Sequence, residues 1–108
     1  MTLQEERRDL GLEPSVAEVS ILFEAGNALI TLSGEIDLGA AVALDFAAEE
    51  AIVRAVPVRL DLSAVTLMDS TGLGFVASLV RAGLGSGSRL TVTGPSRRIL
   101  ETLTLSGL

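Results

Sequence analysis

From Val58 to Leu84 the chain changes its hydrophobic period within a few residues, and this limits the fold more than any other feature. "VRLDLS" sets Val58, Leu60 and Leu62 two apart, on one side of a buried strand, whereas Leu73, Val76, Val80 and Leu84 follow the spacing of a helix. The junction is "TLMDSTGLGF", Thr66 to Phe75, where an acid, the pair Ser70–Thr71 and two glycines replace the apolar run. A strand that passes almost directly into a helix belongs to a layered α/β chain.

The flanking segments extend this pattern. Val16, Val19, Ile21 and Phe23 alternate, Gly26-Asn27 signals a turn, and a second alternating run sets Leu29 opposite Ile30 and Leu32, which predicts a β-hairpin. Asp37 precedes "LGAAVALDFAAEEAIVRA" and can accept hydrogen bonds from the first backbone N–H groups of a helix, whose apolar stripe is Ala41, Leu44, Ala48, Ile52 and Ala55. Val42 and Phe46 lie off this stripe, as Phe75 and Leu79 lie off that of the next helix. Such residues mark either packing between neighbouring helices or a docking surface. Pro57 ends the first helix, and Asp61 in the following strand needs a partner at the strand end.

A second helix is expected from about Thr71 to Leu84, capped by Asp69 or Ser70 and broken by "GLGSGS". "RLTVTG" reads as a strand, and Pro95 suits the first turn of a third helix, "SRRILETLTL", ending near Gly107. The order is ββαβαβα, an α/β chain with a mixed, mostly parallel sheet and crossover helices. Residues 1–14 read as a polar leader and 15–108 as one domain.

Composition removes several function classes. The 108 residues include no cysteine, histidine or lysine, which excludes a disulfide framework, a thiolate zinc site and any mechanism that needs an imidazole base. A net charge of −6 without a basic cluster argues against direct nucleic-acid binding and favours a protein or basic partner. The charged start, "MTLQEERRDL", and the lack of an apolar run of roughly 20 residues predict a cytoplasmic chain with no membrane span. With only three aromatic residues, all phenylalanine, the core must be aliphatic.

Ser70 is not placed as a hydrolase nucleophile: Gly72 follows it by two, but Met68 stands where the elbow needs glycine, and there is no histidine. "GLGFVA" fits a dinucleotide fingerprint only in outline, since no acid lies between Ser70 and Glu101 and the chain has no room for a second nucleotide-binding half. A phosphate-binding Gly-Lys-Ser/Thr loop is absent. No catalytic residue, metal ligand or cofactor follows from these residues. What remains is a helix start with a hydroxyl and two small glycines, Gly72 and Gly74, whose backbone is expected to be accessible. A phosphoserine there would face N–H groups and the positive end of the helix dipole, so the fold would tolerate it.

"GEID" at Gly34–Asp37, "VRLDLSAVTLMDSTGLG" at Val58–Gly74 and the closing "RRILETLTLSGL" together resemble the anti-sigma factor antagonists of the STAS domain family. The resemblance covers most of the chain and implies the STAS fold. It implies that Ser70 is the phosphate acceptor, that Asp37 lies in a partner-facing loop, and that Asp61 and Asp69 flank the same end of the sheet. Asp37, Asp69, Thr71, Gly72 and Gly74 are then the expected partner-binding residues. Family members commonly continue past "SGL" with another strand and helix, so an exposed apolar surface or sheet edge, and with it a homodimer, is an expectation for this sequence.

The implied activity is a partner switch without catalysis. The unphosphorylated form would bind an anti-sigma factor that is also a serine kinase, freeing a sigma factor for transcription in a bacterial stress response; phosphorylation of Ser70 would end binding and a serine phosphatase would restore it. The alternatives are a non-switching STAS scaffold or subunit of a stress-signalling or transporter complex, and a small nucleotide-binding protein.

Overall fold

The computed structural model describes residues 16–108 except Ser88, and the side chains of Leu84 and Ser86 are not described. The expected leader, 1–14, lies outside the described residues. The elements are β1 (Glu18–Glu24), β2 (Asn27–Ile36), a 3-10 turn (Leu38–Ala40), α1 (Ala41–Arg54), β3 (Val58–Met68), α2 (Ser70–Ser86), β4 (Leu90–Thr93) and α3 (Arg97–Leu105). This is the ββαβαβα order expected from the hydrophobic periods.

The sheet runs β1-β2-β3-β4, with β1 antiparallel to β2 and the other neighbours parallel. Parallel neighbours need crossovers, which α1 and α2 provide. The hairpin turns at Ala25 and Gly26, both with positive φ, so Asn27 begins β2 instead of completing the turn. Ala28, Ile30 and Leu32 of β2 and Val58, Leu60 and Leu62 of β3 are buried beneath the helices, as the alternation predicts.

Beyond Leu62 the burial interval in β3 becomes three, with Val65 and Met68 as the next buried residues. The pairing with β2 slips twice here: Thr31 faces Asp61, Ser33 faces Ala64, and Glu35 faces Leu67. Each slip inserts one extra residue into β3, a bulge that turns the following side chains back toward the core. β3 is therefore far longer than "VRLDLS" suggested. Asp61 does not sit at a strand end; its Oδ1 accepts the Ser63 N–H at 2.9 Å inside the first bulge. That backbone bond, with a second from the Ser63 hydroxyl, lowers the Asp61 pKa below the usual carboxylate value.

Helix limits also depart from expectation. On α1 the buried residues are Leu44, Ala47, Ala48 and Ala51, while Ile52 and Ala55 are exposed. Small alanines face the close approach of α2, and Phe75 and Leu79 of α2, off the expected stripe, are buried core residues. α2 continues through Gly83 and Gly85 to Ser86 and ends at Gly87, whose left-handed φ of 78° closes the helix. Ser96, not Pro95, starts α3: its Oγ accepts the Ile99 N–H at 3.2 Å. Gly107 and Leu108 return their N–H groups to Thr104 and Leu103, capping the other end. β4 borders the sheet, beside a groove lined by Val76, Val80, Leu90, Val92, Leu100 and Leu103.

Two predictions follow from the strained and bulged positions. A left-handed alanine costs about 1–2 kcal/mol and glycine's extra chain entropy about 0.5–1 kcal/mol, so Ala25→Gly should stabilise by up to about 1 kcal/mol. Calorimetry should show a melting temperature raised by a few degrees. Asp61→Ala should destabilise at neutral pH. Because the native pKa of Asp61 is depressed, its contribution is complete above the unfolded value of about 3.9 and is lost as pH falls through the lower native value. The melting difference between the two proteins should shrink in that acid range.

Candidate functional site

β2 and β3 end side by side, with Ile36 paired to Met68. The next residues, Asp37 and Asp69, therefore stand together at the rim of the sheet. The Asp69 N–H donates to the Ile36 carbonyl at 3.0 Å, which fixes the two chain exits against one another. Each aspartate then opens a helical segment. Asp37 Oδ1 accepts the Gly39 N–H at 3.0 Å ahead of the 3-10 turn, and Asp69 Oδ1 accepts the Thr71 N–H at 2.8 Å ahead of α2. Both bonds satisfy donors that a helix start leaves without an intrahelical acceptor.

Asp69 is thus the cap of α2, and Ser70 is its exposed first residue. Thr71 is half-buried and enters the rim through its backbone N–H. Gly72 contradicts the expected accessible backbone: it is buried, and a Cβ there would overlap Met68 Cγ and come within 3.0 Å of Ile36 Cγ2. Its smallness lets the first turn of α2 settle onto the strand ends. Gly74 is exposed with open space around its missing Cβ, so it alone of the pair fits the expected platform.

Ser70, Asp37, Asp69, Thr71, Gly72 and Gly74 are brought to one rim. Asp61 is not: it lies well inside β3, opposite Thr31 and Thr93, and does not flank the same end as Asp69. The sequence reading missed two exposed apolar residues near the aspartates, Leu38 directly after Asp37 and Leu67 two residues before Asp69. Leu38 could have been found, because a residue just after a cap belongs to a turn and need not join the buried stripe. Among the described residues no polar or charged side chain is fully buried, and no three acidic groups cluster as metal ligands would. The chemistry at this rim is that of a surface carrying one exposed hydroxyl among carboxylates.

The two glycines give opposite expectations. Overpacking typically costs about 1–3 kcal/mol and the gain in helix propensity returns up to about 1 kcal/mol, so Gly72→Ala should be destabilised on balance. Gly74→Ala meets no neighbour and should gain up to about 1 kcal/mol. Chemical denaturation of the two variants beside the parent chain separates these signs; equal shifts would show that Gly72 is not held by packing.

Residues 21–108 match the family described as "Mlab, STAS domain". Among solved structures, an anti-sigma factor antagonist from Mycobacterium paratuberculosis is 27% identical, with a TM-score of 0.75 over 88% of this chain and 81% of its own. The Bacillus cell fate determinant SpoIIAA in its phosphorylated form is 22% identical, with a TM-score of 0.69 over 86% and 85% of the two chains. SpoIIAA in its unphosphorylated form, also an anti-sigma factor antagonist, is 19% identical, with a TM-score of 0.67 over 86% and 82%. A search of curated proteins finds no match. No described helix is long and apolar enough to cross a membrane. The family match covers far more than half the sequence: the chain belongs to the STAS domain family.

Proposed function

We propose that this protein is an anti-sigma factor antagonist switched by phosphorylation of Ser70. The observation that carries the reading is the division of roles at the start of α2, where Asp69 makes the cap and Ser70 presents its hydroxyl to solvent one residue later. The likeness to the mycobacterial antagonist supports it. The unphosphorylated chain binds an anti-sigma factor with serine kinase activity, through the rim formed by Asp37, Asp69, Ser70 and Thr71 and the open backbone of Gly74. The kinase transfers the γ-phosphoryl group of ATP to Ser70 Oγ. The new P–O bond forms as the bond to the β-phosphate oxygen breaks, and the serine proton passes to a base of the kinase. A serine phosphatase reverses the modification by hydrolysis. The chain itself is the ligand and the substrate.

Phosphorylation adds about 1.5–2 negative charges at the N-terminal end of α2. In the isolated chain the helix dipole and solvent accommodate them, whereas at a dry interface beside Asp69 they cost affinity through repulsion and desolvation.

The test takes the purified chain with each serine-kinase anti-sigma factor of its source cell and ATP. Wild type should gain one phosphate, located at Ser70 by mass spectrometry. Ser70→Ala should bind but gain none, and it loses no cap. Stoichiometric phosphorylation should weaken binding at least tenfold by calorimetry, a change of about 1.4 kcal/mol or more, with the fold retained. Asp37→Ala should lose more binding energy than the roughly 1 kcal/mol of its cap. Phosphate on Thr71 would reassign the acceptor, and equal affinity of both forms would replace the switch by the scaffold reading.

A further inference from the structure

The outer face of α1 carries apolar side chains that this fold does not cover. Leu38, Val42, Phe46 and Val53 are 76%, 84%, 60% and 76% exposed. At about 100° per residue, Val42, Phe46 and Val53 lie opposite Leu44, Ala48 and Ala51, which face the core. Scattered exposed apolar residues are ordinary, but Leu38, Val42 and Phe46 follow one another four residues apart and Val53 continues the line beyond Glu49.

The charge around the stripe has one sign. From Asp37 to Val53 the chain carries Asp37, Asp45, Glu49 and Glu50 and no base. Arg54, the next cation, is turned onto its own molecule, with Cζ 3.8 Å above the Phe23 ring and Nη2 4.0 Å from Glu50 Oε1. The stripe also joins the rim already described, since Leu38 directly follows Asp37, and Phe46 lies within about 8 Å of the start of α1.

We propose that Leu38, Val42 and Phe46 anchor the same partner that acts on Ser70, through an apolar pocket edged by arginine or lysine; this rests on the anti-sigma reading above. The surface then has two parts. The stripe supplies burial that phosphorylation leaves unchanged, and the rim supplies the charge that phosphorylation alters. The stripe also holds the kinase on its substrate before transfer, so its loss raises KM for Ser70 phosphorylation without changing kcat.

The test uses the full chain and the anti-sigma kinase that binds and phosphorylates it. Val42→Ser combined with Phe46→Ser alters only exposed positions and should melt with wild type, while Leu105→Ser, 88% exposed on α3, is the remote control. The double variant should bind at least tenfold more weakly and show a KM raised to a similar degree at unchanged kcat; the control should match wild type. A double variant that binds and is phosphorylated like wild type, while Ser70→Ala still resists phosphorylation, overturns the stripe and leaves the switch standing. Absence of binding and phosphorylation of wild type by every anti-sigma kinase of the cell overturns both. A wild-type dimer in sedimentation that the double variant abolishes would show the stripe to be a self-contact and overturn the proposal.

Discussion

The hydrogen bond from the Asp69 N–H to the Ile36 carbonyl is the last tie between β2 and β3 before each strand becomes a helical segment. Everything at the rim depends on those two strands ending together. They do so because β3 absorbs two extra residues on the way: without its bulges Ile36 would face Thr66 rather than Met68, and Asp69 would project about 7 Å past the sheet. The first bulge is stable because its Ser63 N–H finds the Asp61 carboxylate, and because Gly94 lets the β4–α3 turn approach Ser63 where a Cβ would stand 2.7 Å from Ser63 Cβ. A mid-sheet irregularity thus sets the position of a surface hydroxyl some residues away.

At the rim itself, structural and exposed groups are kept separate. Carboxylates take the N–H groups of the helix starts, Gly72 seats α2 on Met68 and Ile36, and Ser70 is left at the surface with no part in the cap. A change at Ser70 therefore reaches the surface without disturbing the fold. Had Ser70 been the cap, as the sequence allowed, modifying it would have removed a bond worth about 0.5–2 kcal/mol to α2, and charge and stability could not vary independently.

Much of this was legible in the sequence because the hairpin, the crossovers and the buried faces of β2 and β3 follow simple periods of two and roughly 3.6. The departures have physical causes. β3 was read as short because its bulges change the burial interval from two to three after Leu62. α2 was expected to stop at the glycines near its end, yet Gly83 and Gly85 remain helical and only Gly87 takes the left-handed conformation. On α1 the expected stripe ran on to Ile52 and Ala55, which are exposed, whereas the contact with α2 buries the small Ala47 and Ala51 and leaves Val42 and Phe46, read as off the stripe, at the surface. Gly72 shows the limit of reading a site residue by type: small size suggested exposure, while its cause is close packing.

An asymmetry between the isolated chain and the complex is what turns this rim into the proposed switch. In isolation, a phosphate on Ser70 would lie near the positive end of α2 and be hydrated. In the proposed complex, water would be removed and only the partner could supply compensating cations, while Asp37 and Asp69 would already draw on any it brings. The added charge of about 1.5–2 would therefore be tolerated where the chain must remain folded and resisted where it must bind. An apolar anchor on α1 fits this logic, because burial of Val42 and Phe46 contributes affinity that does not depend on charge. The complex can then be tight before phosphorylation without needing a dense set of partner cations that would also welcome the phosphate.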